Sequence, residues 1–181
     1  MSTADPTPTG DHLVGLADTI ADGLLDRTLP KSRWTHEGHL LACIALVRRL
    51  GPTEALVVLR AAIPPYNVAT GVANTTTGGY HDTITVYFVW AVARLLQLDP
   101  HPVPRSAHTP CGGLGPPGNG GMMTTAGVLG HPSVEREALF AWWERETLFS
   151  AAARLGWRPP TLAGDGGPAP TEWLQPELIE I

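Results

Sequence analysis

The sequence predicts an all-α fold, a single-domain helical bundle of about five helices with a long Gly/Pro-rich insertion. Apolar residues recur at helical spacing in several segments, residues typical of helix starts and ends flank these segments, and no segment alternates like a convincing strand. The chain has 181 residues, 43% hydrophobic and 16% charged, which is enough to bury one core. We therefore expect residues 1–10 to form a disordered tail and residues 11–181 to form one domain.

Boundary residues predict the first two helices. Asp11 can cap a helix that carries one apolar face and runs to about Leu29. Thr35 can cap the second helix, because its hydroxyl can accept one of the first free backbone N–H groups. Gly51 is typical of the position that follows a helix, so the second helix should end there.

Prolines delimit the third helix. Pro52 suits the first position of a helix over residues 53–63, and the pair Pro64-Pro65 should break that helix. Residues 66–79 are then predicted to form a polar loop. A loop of this length is usually either functional or disordered.

The second half of the chain contains two more predicted helices around the insertion. The fourth helix, roughly Tyr80–Leu98, is apolar on nearly every side and should be central. Residues 99–132 are rich in Pro and Gly, and we expect a loop there that is either a lid or disordered. The fifth helix is predicted over Ser133–Leu155, followed by a Pro-rich tail.

Charge and composition argue against several partners and locations. The net charge is −5 and the basic residues form no run, whereas a nucleic-acid surface would need clustered Lys and Arg. The N-terminus lacks the basic start and apolar core of a secretion signal, and no apolar run reaches the roughly 18 residues of a membrane span. We expect a cytoplasmic protein without nucleic-acid or membrane partners. The sequence leaves open whether the chain forms a homodimer.

Three histidines at helix starts are the candidate ligands of a metal ion. His36 and His39 are three residues apart and therefore share a helix face, and His81 begins another long apolar run. Neutral imidazole suits Zn, Cu and Fe, and three imidazoles leave a coordination position open for water or substrate. We therefore predict one divalent transition metal (Zn, Fe or Cu) bound by His36, His39 and His81.

Two other interpretations of the histidines stay open, because H-x-x-H spacing is a weak signal. The chain could be a non-catalytic metal- or ligand-binding module, with Cys43 as a further ligand four residues after His39. Alternatively, the role of the histidines is purely structural. They would then be buried in the helical bundle and satisfied by hydrogen bonds.

Tyr80, Asp82 and Glu37 are the candidate catalytic residues, because each is next to one of the three histidines in the sequence. Asp82 could also orient a metal-bound histidine from another helix. The alternative for both acids is that they lie in the first turn of a helix, where the helix dipole favours a negative charge.

Aromatic and amide side chains near the two motifs could form the wall of a small-molecule pocket. The candidate substrate-binding residues are Trp34, Tyr66, Asn67, Asn74, Trp143 and Glu146. Each of them, taken alone, is more often a packing or turn residue.

The two histidine motifs carry a resemblance to a known family. The segments Trp34-Thr35-His36-x-x-His39-Leu40 and Gly79-Tyr80-His81-x-Thr83 resemble those of a family of small bacterial proteins that is known mainly as uncharacterised. The resemblance covers most of residues 29–162, and the Gly-rich segment 111–121 looks like an insertion relative to it. It implies a shared site at the histidines and does not identify a substrate.

The leading functional prediction is a metal-dependent enzyme that acts on a small molecule. A three-histidine metal with an open position can activate water for hydrolysis, hydration or elimination, and iron or copper could support an O2-dependent oxidation. The chain contains no phosphate-binding or dinucleotide-binding motif. A tailoring step in secondary metabolism would fit the small size of the chain.

Overall fold

Helices form the regular structure in the computed structural model, which describes residues 10–98, 122–162 and residue 168. Within these residues there is no strand, and the all-α prediction is confirmed. The α-helices are α1 (Gly10–Leu25), α2 (His36–Leu50), α3 (Pro52–Ala69), α4 (Asp82–Leu95), α5 (Thr125–Leu129), α6 (Arg145–Leu148) and α7 (Ala151–Leu155). Short 3-10 turns lie at Lys31–Arg33, Pro132–Val134 and Arg136–Ala141.

Helices α2 and α4 form the centre of the fold. Residues 40–47 of α2 and residues 86–93 of α4 are buried, and α1, α3 and α7 pack around these two helices. Full burial of one Leu, Ile or Val side chain stabilises the fold by about 1.5–3 kcal/mol, so these two segments account for much of the core. The prediction that the fourth helix is central is confirmed.

Both predicted ends of α2 are confirmed. The Thr35 hydroxyl accepts a hydrogen bond from the backbone N–H of Gly38 at 3.2 Å. Gly51 follows the helix with a φ of 79°, a conformation that glycine adopts without strain. Pro52 then begins α3, where its missing N–H costs nothing.

Helix α1 is shorter than predicted and ends at Leu25. The chain then turns back, and the backbone N–H groups of Thr28 and Leu29 both donate to the carbonyl of Gly23 at 2.9 Å. This turn buries Leu29 in the core, which explains why the helix stops early. Asp11 lies inside the first turn and does not precede the helix.

Helix α3 continues through Pro64 and Pro65, so the predicted break is wrong. The residues after the prolines are held in place by tertiary contacts. The buried Tyr66 donates its hydroxyl to the carbonyl of Leu29 at 3.1 Å, and the amide of Asn67 donates to Asn74 at 2.9 Å. These contacts offset the helix hydrogen bonds that the prolines cannot donate.

The predicted long helix over Ser133–Leu155 is wrong, because the chain forms several short helical turns there. Each turn is fixed by contacts with the rest of the core. Trp143 is fully buried, packs edge-on against Tyr87 at 5.8 Å and donates its Nε1–H to the carbonyls of Arg158 and Pro159. A continuous helix could not place these groups in the core while bringing the following residues back to Trp143.

Several predictions fall wholly or partly outside the described residues. Residues 1–9 of the predicted tail and residues 99–121 of the predicted insertion lie outside them. The part of the insertion that is described contains α5 and therefore is not entirely loop. Of the helices that the structure describes, none combines the length and apolar character needed to cross a bilayer.

Candidate functional site

The loop before the second histidine motif is closed by the side chain of Asn74. Its oxygen accepts from the Asn67 side chain at 2.9 Å and from the backbone N–H of Tyr80 at 3.0 Å, and its nitrogen donates to the carbonyl of Pro64 at 2.9 Å. The amides of Asn67 and Asn74 therefore bond to the chain itself. Their predicted role in binding a substrate gains no support from this geometry.

Asp82 lies in a buried ionic network at the start of α4. Asp82 is only 4% exposed. Its carboxylate accepts three hydrogen bonds, from Arg60 Nε at 2.8 Å, from Arg60 Nη2 at 2.9 Å and from the Tyr80 hydroxyl at 2.7 Å. Burial, followed by the charge of Asp82, raises the pKa of Tyr80 well above its usual range. The Asp82 hydrogen bond likewise raises the pKa of Arg60.

This network explains why a charged group is tolerated in the core. Arg60 was not identified from the sequence. The available signal was Asp82 at the start of a helix predicted to be central, because a buried carboxylate is costly without a cationic partner. Since the Asp82 carboxylate already accepts three hydrogen bonds, it is poorly placed to take a proton from a substrate. The structure favours a positioning role for Tyr80 and Asp82 over the predicted catalytic one.

His81 uses both ring nitrogens within the protein. It precedes α4 as the N-cap residue, where Nδ1 accepts from the backbone N–H of Ile84 at 3.4 Å, and Nε2 lies 2.8 Å from the carbonyl of Leu148. Nε2 must donate to that carbonyl, so the ring is the neutral tautomer protonated on Nε2. Burial lowers the pKa of His81 below its usual value, and the charge of Arg154 adds to this effect.

The second motif also binds the C-terminal arm, by which we mean residues 145–158. Arg154 donates to the carbonyls of Gly79 and Tyr80 at 3.2 and 3.1 Å. Thr83 donates to the carbonyl of Gly156 at 3.0 Å and accepts from the backbone N–H of Arg158 at 3.1 Å. Together with His81, these contacts make the Gly-Tyr-His-Asp-Thr segment a receptor for the arm, a role that sequence analysis missed.

The first motif has a more open arrangement. His36 donates Nε2–H to the carbonyl of Val134 at 2.8 Å, and its ring packs edge-on against Phe88 at 5.3 Å. His39 donates Nδ1–H to the carbonyl of Thr35 at 2.6 Å, and its ring lies 3.8 Å from that of Trp34. His39 is an exposed residue, and partial desolvation of its ring lowers its pKa to about 4.

The three histidines do not fit the predicted three-ligand metal centre in this arrangement. His81 has no free lone pair, because its Nδ1 accepts a hydrogen bond and its Nε2 carries the proton. Within residues 10–98 and 122–162, no group of three His, Cys, Asp or Glu side chains is positioned to hold a metal ion. Binding of a divalent transition metal itself stays a prediction.

Two depressions flank Glu37, an exposed residue in the first turn of α2. One has a volume of about 230 Å³ and is lined by Leu16, Ile20, Ser32, Arg33, Thr35, Glu37, Gly38 and Leu41. The other has a volume of about 200 Å³ and is lined by His36, Glu37, Leu40, Leu129, Val134 and Glu135. Glu37 is the residue common to both depressions.

The remaining predicted pocket residues are not assembled into a site. Tyr66 and Trp143 are fully buried core residues whose polar atoms donate to backbone carbonyls. Glu146 is exposed on α6, and neither depression includes it. Trp34 is half-buried between His39 and Tyr66.

Comparison of the chain with protein-family models, with curated proteins and with solved structures gave no match. The resemblance of the two histidine motifs to a small bacterial family therefore stays a prediction.

Proposed function

We propose that this chain is a small-molecule-binding helical protein whose ligand lies on the first turn of α2. The observation that carries the proposal is a contrast between the two motifs. The polar groups of the second motif already bond within the protein, to Arg60, to the carbonyl of Leu148 and to Arg154 of the C-terminal arm. In the first motif Glu37 is exposed beside two depressions. Of the motif groups described, it is the one best placed to meet a ligand.

The chemistry of the smaller depression favours a cationic ligand with an apolar body. The polar residues in its lining are Glu37, Glu135 and His36. Because His36 donates its Nε2–H to Val134, its Nδ1 can only accept while the ring is neutral. All these groups are therefore acceptors, whereas the rest of the lining is apolar and consists of Leu40, Leu129 and Val134. A protonated alkylamine has the donors and the apolar chain that complement them.

The test is an NMR titration of the isotopically labelled full chain with n-hexylammonium, hexanoate and hexanol at pH 7. We expect hexylammonium to shift the amide signals of Glu37, Leu40, Leu129 and Glu135. Glu37→Gln should weaken this binding by about tenfold, which corresponds to about 1.4 kcal/mol for a lost charge-assisted hydrogen bond.

Glu146→Gln is the matched control, because Glu146 is also an exposed acid in the first turn of a helix, α6. It should leave hexylammonium binding unchanged. If none of the three ligands moves the signals around Glu37, the proposed site is wrong. Stronger binding of hexanoate than of hexylammonium would keep the site and reject the cationic ligand.

A metal-dependent enzyme is the second candidate, and one observation favours it. Each of these two rings has one nitrogen in a hydrogen bond with the described residues, Nε2 in His36 and Nδ1 in His39. The other nitrogen of each ring is therefore available to bind a metal. Two such ligands would leave room on Zn, Fe or Cu for a further ligand, for water and for a small substrate, and an open position is what hydrolysis, hydration or oxidation at a metal needs.

Titration of tag-free protein with Zn2+, followed by calorimetry, tests this candidate. One Zn2+ should bind per chain, and His36→Ala and His39→Ala should each weaken binding at least tenfold. His81→Ala should not, since His81 has no free lone pair. Undiminished Zn2+ binding by the His36 and His39 variants would reject the candidate.

A further inference from the structure

The larger depression beside Glu37 has an apolar floor and a polar rim. It has a volume of about 230 Å³ and lies between α1 and the start of α2. Ile20 of α1 and Leu41 of α2 line it and are only 2% and 3% exposed, so they form its floor. The polar residues of the lining are exposed and form its rim; they are Ser32, Arg33, Thr35 and Glu37. A ligand that fits this layout has its polar groups at one end and an apolar group at the other.

The rim carries one positive and one negative residue that are not paired with each other. Within the part of the chain that the structure describes, the side chains of Arg33 and Glu37 form no ion pair and no hydrogen bond. Arg49 and Arg60, by contrast, are both paired with aspartates. Two unpaired opposite charges above an apolar floor complement a zwitterion that has an apolar side chain.

Backbone contacts fix the positions of the rim residues on α2. The backbone N–H of Arg33 donates to the carbonyl of Pro30 at 2.8 Å, and that of Gly38 donates to the Thr35 hydroxyl at 3.2 Å. Gly38 also lines the depression, and it packs so closely that an added Cβ would clash with the carbonyl oxygen of Arg33. Since the backbone is already fixed, a ligand has to order only the Arg33 and Glu37 side chains, which lowers the entropy cost of binding.

We propose that the larger depression binds a free α-amino acid with an aliphatic side chain. The carboxylate of the ligand accepts hydrogen bonds from the Arg33 guanidinium, and its ammonium group donates to the Glu37 carboxylate. The aliphatic side chain covers Ile20 and Leu41. A volume of about 230 Å³ lies below the roughly 300–1,000 Å³ of pockets for drug-sized ligands, so it suits a ligand as small as an amino acid. This site shares Glu37 with the proposed alkylammonium site but does not depend on binding in the smaller depression.

The test is an NMR titration of the isotopically labelled full chain at pH 7 with free leucine and with analogues that each lack one group. The analogues are 3-methylbutylamine, which lacks the carboxylate, 4-methylpentanoate, which lacks the ammonium group, and free glycine, which lacks the aliphatic side chain. We expect leucine to shift the amide signals of Leu16, Ile20 and Ser32, which line the larger depression and not the smaller one. Read from these signals, each analogue should bind about fivefold more weakly or worse.

Substitutions assign each charge of the ligand to one residue. Arg33→Gln should weaken leucine binding about fivefold, which corresponds to about 1 kcal/mol for one exposed ion pair, but should not weaken binding of 3-methylbutylamine. Glu37→Gln should weaken leucine binding to a similar extent and should not weaken binding of 4-methylpentanoate. Arg158→Gln is the matched control, because Arg158 is also an exposed arginine and lines neither depression. It should leave leucine binding unchanged.

Three results would overturn the proposal. The first is that leucine leaves the signals of Leu16, Ile20 and Ser32 unmoved, whatever hexylammonium does to the signals of Leu129 and Glu135 in the smaller depression. The second is that Arg33→Gln weakens leucine and 3-methylbutylamine equally, because the substitution would then act on the shape of the depression and not on a carboxylate. The third is tighter binding of 6-aminohexanoate than of leucine, since the charges of 6-aminohexanoate lie at opposite ends of the molecule.

Discussion

Replacing Arg60 with Met should lower the free energy of unfolding by about 3 kcal/mol, the loss typical of a buried ion pair from which one partner is removed. Asp82 is only 4% exposed, and in the variant Tyr80 would be its one remaining side-chain donor. Urea denaturation followed by circular dichroism measures the change. The unpaired carboxylate would also weaken the start of α4, which carries His81 and Thr83.

Arg49→Met is the control for this prediction. Arg49 also contacts two carboxylates at close range, Asp18 at 2.7 Å and Asp22 at 2.6 Å, but the acidic side chains are 42% and 58% exposed. Exposed ion pairs contribute about 0–1 kcal/mol, so this variant should be nearly as stable as the wild type. Equal losses in the two variants would show that burial of Asp82 is not what makes its pairing important.

Gly79→Ala should destabilise the protein by about 3 kcal/mol, because it combines an unfavourable backbone conformation with a steric clash. Gly79 has a φ of 78°, and an added Cβ would lie 2.5 Å from the carbonyl oxygen of Ala73 and 2.8 Å from Cα of Asn74. Both neighbours belong to the loop that Asn74 closes. The loop would have to open, and the carbonyl of Gly79 would no longer be placed for Arg154.

Gly71→Ala separates the two contributions. Gly71 has a φ of 76°, but an added Cβ would meet no atom within 4 Å. This variant should therefore lose only the conformational part, about 1 kcal/mol. If thermal unfolding places the two variants within a few tenths of a kcal/mol of each other, the close packing of Gly79 against Asn74 is unimportant.

The parts of the fold that were predictable from the sequence are those determined by residues close together along the chain. The Thr35 cap of α2 involves a residue three positions away, and the Gly51 conformation and the Pro52 start of α3 are properties of those residues themselves. The apolar character of α4 on nearly every side indicated its central position. Such short-range signals are present in the sequence whatever the rest of the chain does.

The wrong predictions concern segments in which distant contacts decide the structure. Pro64 and Pro65 would end most helices, but the bond from Tyr66 to Leu29 spans 37 residues and keeps α3 in place beyond them. Over Ser133–Leu155 the helical spacing was present, yet the burial of Trp143 between distant parts of the core favours short turns. Local propensity is a weak guide wherever such contacts exist.

Contacts between residues far apart in the sequence also explain why the role of the histidines was not predictable. Sequence spacing correctly placed His36 and His39 in the first turn of α2 and His81 at the start of α4. The sequence could not show that the acceptors for two of them are the carbonyls of Val134 and Leu148, which lie 98 and 67 residues away. With those acceptors known, His81 is a capping residue in a bundle, which was the structural interpretation left open by the sequence.

The separation of 67 residues between His81 and Leu148 has a consequence for the order of events on the ribosome. At about 5–20 residues per second, the nascent chain acquires the acceptor for His81 only about 3–13 s after the histidine itself has been made. Until then the start of α4 lacks this partner, while α1, α2 and α3 can already pack against one another. Translation therefore completes the contacts between α4 and the C-terminal arm last.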